Sequence, residues 1–156
     1  MKNAVTLGLY AGSFNPFTVG HLDIVKQAAN IFDEVIVAQG NNPSKPNDVK
    51  IPLPSKFLTS FRSDVVISTR VFNTLLTDLI KELENDYYNV ILVRGLRNGA
   101  DLEYEQNLIT FLKDMHPTLK SVAFYCDPKF RHISSSALRD IGKFSQEEYR
   151  KYVVSS

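Results

Sequence analysis

Leu9–Val25, LYAGSFNPFTVGHLDIV, sets the fold of this chain. A short apolar run ends at Gly12, a hydroxyl follows at Ser13, and Gly20-His21 opens a segment of helical period. Leu22, Val25, Ala29 and Phe32 fall on one face of a helix predicted over His21–Phe32. The stretch therefore reads as buried strand, tight turn and helix. A glycine without Cβ lets backbone turn sharply and approach a ligand. The first turn of a helix carries N–H groups with no intrahelical partner, and its dipole favours an anion. Ser13 and His21 are thus either turn and surface residues or parts of a phosphate site.

The same alternation runs along the chain. Apolar runs at Val5–Tyr10, Val35–Ala38, Val65–Ser68, Val90–Val93 and Val122–Tyr125 predict five strands. They are nearly continuous in Val, Ile, Leu and Phe, the pattern of parallel strands buried on both faces. Helical periodicity lies between them, at Thr74–Leu83 and Asp101–Leu112 as well as after the first strand. Strand and helix in alternation predict one doubly wound, Rossmann-like α/β domain over residues 1–156, a five-stranded parallel sheet with helices on both faces. Asn41–Pro54, with prolines at 43, 46, 52 and 54, reads as a loop. Ser145 followed by Glu148 predicts a capped C-terminal helix over about 145–154.

Bulk properties narrow the function. The chain has 156 residues, 44% hydrophobic and 22% charged, in the range of a single globular domain. A net charge of +1 gives no global case for a nucleic-acid or membrane partner. Cys126 stands alone, which fits a reducing compartment, and the N-terminal apolar stretch is too short for a span or signal, so a cytoplasmic location is expected. No Gly-x-Gly-x-x-Gly follows the first strand, which argues against a dinucleotide module.

Ligands of open parallel sheets bind beyond the carboxyl ends of the strands. Those positions hold Gly12-Ser13, Asn41–Lys45, Arg94–Arg97 and Asp127–Ser136. Arginine forks suit phosphate oxygens. In ISSSALRDI, Ile133–Ile141, the serines precede a helix and could be only an N-cap. Arg139 lies one turn beyond Ser135 and Ser136, so hydroxyls, free N–H groups and a cation could instead hold pyrophosphate.

Three segments carry a specific resemblance. Gly12-Ser13-Phe14-x-Pro16-x-Thr18-x-Gly20-His21 resembles the Gly-Thr-Phe-Asp-Pro…Thr-x-Gly-His motif of the nucleotidyltransferase superfamily, with Ser13 and Asn15 in place of threonine and aspartate. VRGLRNGADLEYEQNL, Val93–Leu108, is similar to a block of the bacterial phosphopantetheine adenylyltransferase family, as are Ile133–Arg139 and Pro43-Ser44-Lys45. FNTLLTDLI, Phe72–Ile80, is similar to that family's pantetheine-lining segment. The chain departs after Lys45, where the family's second lysine and Glu-Glu-Arg helix are missing, and beyond Gly142, where the tail is short.

The resemblance implies adenylyl transfer from ATP to 4′-phosphopantetheine with Mg²⁺, in a homo-oligomer that is hexameric in the family. It implies phosphopantetheine contacts at Ser13, Lys45, Leu76, Arg94 and Tyr104, with Lys45 and Arg94 on the attacking phosphate. It implies ATP contacts at Ser13, Phe14, His21, Gly95, Leu96, Arg97, Glu105, Phe130, Arg131, His132, Ile133, Ser134, Ser135 and Ser136. His21 is expected to stabilise the transition state, and no protein metal ligand is expected. The alternatives are an adenylyltransferase for another phosphate, such as nicotinate mononucleotide, or a binding module that has lost catalysis.

Overall fold

The computed structural model describes residues 1–41, 61 and 64–154. Lys45 and most of the proline-rich loop lie outside them. In chain order the elements are β1 (Asn3–Gly12), α1 (Val19–Ala29), β2 (Glu34–Gly40), β3 (Val66–Phe72), α2 (Leu76–Leu83), β4 (Tyr87–Leu96), α3 (Gly99–Met115), β5 (Lys120–Tyr125), a 3₁₀ turn (Pro128–Phe130), α4 (Ser135–Phe144) and α5 (Gln146–Arg150).

The five strands form one sheet in the order β3-β2-β1-β4-β5, and every pairing is parallel. Alternation along the strands divides the core in two. Leu7, Leu9, Ile36, Ala38, Val90 and Leu92 meet Leu79, Ile80 and Leu83 of α2 and Leu112 of α3. Tyr10, Val35, Val37 and Val93 meet Ile24, Val25 and Ala28 of α1 on the opposite face. Burying each large aliphatic side chain is worth roughly 1.5–3 kcal/mol, so losing either helix layer would expose a whole face.

The central strands are buried on both faces as expected, but the edges are not. Alternate residues of β3 and β5 are open, with Val66 and Tyr125 59% and 81% exposed. Among the described residues each of these edge strands has a strand neighbour on one side only. The predicted strands are also shorter than those observed, because polar Asn3, Arg70 and Lys120 still complete ladders.

Helix α2 starts at Leu76 instead of Thr74, α3 runs Gly99–Met115 instead of Asp101–Leu112, and the first and last helices differ for stated reasons. Helix α1 starts at Val19 because Thr18 caps it, and it ends at Ala29, while Phe32 packs beneath the sheet from the following turn. The C-terminal helix is capped at Ser145, whose Oγ accepts from Glu148 N–H, but it ends at Arg150 instead of continuing to about 154. The tail is drawn off by backbone bonding: Val19 N–H donates to Tyr152 O, and Val154 N–H donates to Phe17 O. The tail thus braces the segment that leads into α1.

Candidate active site

Strand order reverses between β1 and β4, so the chain leaves these neighbours toward opposite sides of the sheet. That switch point leaves a crevice at the carboxyl ends of the strands. A cavity of about 420 Å³ lies there, within the size range of small-ligand sites. Ser13, Phe14, His21, Arg94, Gly95, Arg97, Tyr104, Glu105 and Ile133–Ser136 all line it, joined by Arg139.

The turn after β1 is built differently from the sequence expectation. Gly12 is not left-handed; Phe14 is, with φ of 46°. Gly12 is needed for space, since a Cβ there would stand 2.9 Å from the folded-back Phe14 ring. The ring is 3% exposed and packs edge-on against Tyr10, Phe17 and His21. Left-handed backbone is unfavourable for a bulky residue and clusters at functional sites.

Thr18 and His21 form a reciprocal cap. Thr18 Oγ1 accepts from His21 N–H at 3.2 Å, and Thr18 N–H donates to His21 Nδ1 at 2.9 Å. Histidine here takes the part that Glu or Gln plays in a capping box. Because Nδ1 accepts a backbone N–H, the neutral ring carries its proton on Nε2. Burial, with the nearby Arg97 charge, pushes the His21 pKa from 6.5 down to about 4. His21 is therefore a neutral imidazole whose Nε2–H is the donor left for a ligand. The first turn of α1 holds one more: Val19 and His21 N–H are bonded, whereas Gly20 N–H has no partner among the described residues. Gly20 also lines the cavity.

A second helix points its N-terminus at the same space. Ser134 caps α4 by accepting from Ala137 N–H at 3.1 Å, even though no Glu or Gln completes a box. Ser135 Oγ donates to Pro16 O at 2.8 Å, tying α4 to the turn after β1. The N–H groups of Ser135 and Ser136 have no partner among the described residues. Arg139 donates to Asn15 O, which holds its guanidinium at the cavity rim.

The end of β4 supplies fixed charge. Arg94 makes a two-pronged pair with Glu105, at 2.7 and 2.8 Å, and donates to Ala11 O at 2.8 Å. Burial alone would lower the Arg94 pKa, but bonding to Glu105 outweighs it and raises the value. Arg97 is held by Asp101, at 2.9 and 3.0 Å. Burial disfavours the Asp101 carboxylate, yet Arg97 more than compensates and the pKa falls below 3.8. Gly95, between the arginines, makes room for α1, since a Cβ there would lie 2.9 Å from Ile24 Cγ1.

Other expected residues are placed elsewhere. Leu96 and Arg131 line a neighbouring cavity of about 270 Å³, which shares Arg97 and Cys126 with the first. Phe130 packs against the α1 side of the core, and His132 meets Tyr152 edge-on at 6.2 Å. Leu76 packs against the α2 side of the core and does not line the cavity. Asp101, Tyr10 and Thr18 were not expected as site residues. Thr18 was legible as an [ST]-x-x-[polar] cap, had histidine been admitted at the third position. The Asp101 pairing was legible as Arg-x-x-x-Asp at helical spacing.

Taken together, the lining residues present three guanidinium groups against two carboxylates, both carboxylates being paired. The thiol that lines the cavity is not activated: burial first, then Asp23 and Asp127, raise the pKa of Cys126. The arrangement suits a bound polyanion whose charge is redistributed by donors already in place.

Comparison with known proteins agrees. Residues 9–141 match the cytidylyltransferase-like family. Phosphopantetheine adenylyltransferases of Streptococcus pyogenes serotypes M5 and M18 are 39% identical over 140 residues, covering 88% of this chain and 83% of theirs. Among solved structures, one from Vibrio parahaemolyticus named as a presumptive nicotinate-nucleotide adenylyltransferase superposes with a TM-score of 0.59 at 15% identity, covering 99% of this chain and 94% of that one. A lipopolysaccharide core biosynthesis protein from Thermoplasma volcanium gives 0.52 at 17% identity, covering 80% and 99%. At such identities the structures speak to the fold, whereas the sequence relatives speak to the family. With its switch-point cavity, capped histidine and arginine pairs, the chain belongs to the cytidylyltransferase-like nucleotidyltransferases and, within them, to the phosphopantetheine adenylyltransferase family.

Proposed function

We propose that this enzyme transfers the adenylyl group of ATP to 4′-phosphopantetheine, giving dephospho-coenzyme A and pyrophosphate. One observation carries the reaction class. Two helix N-termini with free N–H groups and a neutral His21 with a free Nε2–H converge on one cavity at the strand-order switch. The acceptor rests on the 39% identity to enzymes of that name.

The chemistry needs little beyond placement. The acceptor's phosphate monoester is dianionic near neutral pH, its second pKa being about 6, so no general base is required. One of its oxygens attacks the α-phosphorus of ATP, a new P–O bond forms, and the bridging bond to the β-phosphate breaks. The electron pair leaves with pyrophosphate. Arg94 and Lys45 orient the attacking phosphate; Lys45 lies outside the described residues. Gly20 N–H and His21 Nε2–H stabilise the α-phosphoryl oxygens as charge grows there. Ser134–Ser136, Arg97 and Arg139 hold the β- and γ-phosphates.

Mg²⁺ enters as part of the substrate Mg–ATP. The carboxylates lining the cavity are engaged by arginine, so the ion's ligands are phosphate oxygens and water. We place the enzyme in the cytoplasm, as a homo-oligomer, hexameric as the family resemblance implies. Apolar side chains left open on α3 and β5, Phe111 at 68% and Tyr125 at 81%, support self-association. Among the described residues no helix is long and apolar enough to cross a membrane.

The test is a pyrophosphate-release assay with ATP and a panel of phosphopantetheine, nicotinate mononucleotide and glycerol phosphate. Phosphopantetheine is expected to be preferred by a wide margin in kcat/KM. Equal or better use of nicotinate mononucleotide would overturn this reading.

A further inference from the structure

Strand β2 carries one polar side chain in an otherwise apolar buried run. Gln39 is 2% exposed and follows Val35, Ile36, Val37 and Ala38, all 7% exposed or less. It sits opposite Gly12 in the ladder, at the mouth of the turn after β1. Its Nε2 donates to Ser13 O at 3.0 Å, while its Oε1 is buried with no hydrogen-bond partner among the described residues. An orphaned buried acceptor is destabilising, so a buried glutamine with one unsatisfied end asks for an explanation.

The explanation lies across one peptide plane. In a trans peptide the carbonyl and the next N–H point in opposite directions. Ser13 O is drawn toward Gln39, so Phe14 N–H is turned away from it. Phe14 N–H has no partner among the described residues, and Ser13 and Phe14 both line the cavity. Phe14 is also the left-handed residue of the turn, a conformation that requires support from its surroundings.

We propose that Gln39 is a positioning residue: by holding Ser13 O, it aims Phe14 N–H at a phosphate bound in the cavity. The unsatisfied Oε1 is tolerated because an apolar residue of the same volume would leave the turn untethered. Gln39 touches no substrate itself; it acts through the Ser13–Phe14 peptide. The proposal deepens the adenylyl-transfer reading and rests on it.

The experiment compares wild type with Gln39→Met, which removes tether and orphan together at similar volume, and Gln39→Leu, which removes both in a shorter side chain. ATP dissociation constants without acceptor, kcat and KM for both substrates, and thermal melts are measured on the full chain. Gln39→Met is expected to melt at or above the wild-type temperature while kcat/KM for ATP falls about tenfold, as when a charge-assisted donor is displaced rather than deleted. KM for the acceptor should change little. Gln39→Leu should lose at least as much activity. Wild-type kcat/KM in a folded Gln39→Met enzyme would overturn the proposal. So would a lowered melting temperature accompanied by unchanged ATP affinity, which would make Gln39 a fold residue only. If wild type itself neither binds ATP nor releases pyrophosphate, the adenylyl-transfer reading fails instead, which separates the two.

Discussion

The two strands that flank the switch point equip the cavity in opposite ways. The turn after β1 and the start of α1 offer neutral donors: Gly20 N–H, His21 Nε2–H and a left-handed Phe14. The end of β4 offers formal charge, with each arginine locked to a carboxylate. The difference suits the demands on each side. On the proposed reaction, neutral donors held by a cap would already be oriented when charge develops on phosphorus, with no counter-ion to move. Arginines supply attraction for a polyanion, but an unpaired buried guanidinium would destabilise the empty enzyme. Glu105 and Asp101 keep the forks in place and moderate their charge.

The sharpest way to break this comparison is His21→Ala. If the neutral side acts on the transition state, kcat should fall roughly 10²–10³-fold, the usual loss for one preorganised donor, while the ATP dissociation constant moves only a few-fold. His21→Gln should keep part of the rate if its amide reaches the same oxygen. A folded His21→Ala enzyme within a few-fold of wild-type kcat would reduce His21 to a helix cap. The neutral state also has a thermodynamic signature. With the folded pKa near 4 and the ordinary value 6.5, the unfolded chain binds the proton first as pH falls. Stability should drop between about pH 6.5 and 4 in wild type, and the drop should shrink in His21→Gln. Urea melts across that window check it.

The charged side is tested by Arg94→Ala. Glu105 is 12% exposed, and leaving it unpaired should destabilise the fold by about 3 kcal/mol. Arg94→Ala with Glu105→Ala should recover much of that stability without recovering activity. If the double variant regains turnover as well, Arg94 serves the fold and not the phosphate. Chemical denaturation and initial rates on the same preparations separate these outcomes.

The smallest effect is expected at the outer pair. Arg97 is 35% exposed, so solvent screens it, and Asp101→Asn should lose about 1 kcal/mol or less. The depressed Asp101 pKa adds stability that is present above 3.8 and is lost as pH falls below it. Asp101→Asn should flatten that acid limb while raising KM for ATP a few-fold, because Arg97 loses its support. An unchanged acid limb would show that the pair adds nothing to folding.

The legible part of this site was its residue types and their positions after strands. Gly12-Ser13, His21, the two arginines and the serine run sit where strand–turn–helix periodicity places them, and all line one cavity. The pairings were not legible. Arg94 and Glu105 were assigned to different substrates, yet they bind each other because α3 returns over the end of β4. Leu76 and His132 are expected as ligand contacts; in the fold Leu76 packs against the core from the first turn of α2, and His132 meets Tyr152 from the turn before α4, neighbours that residue order does not show.

The sequence by itself determined the alternation of strand and helix, hence the parallel sheet, because a period of two or 3.6 residues decides which faces are apolar. It determined the family as well, since the Gly-His, Arg-Gly-Leu-Arg and Ile-Ser-Ser-Ser segments are read directly from residue order. Only the tertiary structure decided the strand order, the tautomer of His21, the tail bonded to Val19 and the orphaned carboxamide of Gln39. Each of these depends on which groups meet across the fold. Hydrogen bonds and burial act between neighbours in space, and residue order alone does not say which distant groups those will be.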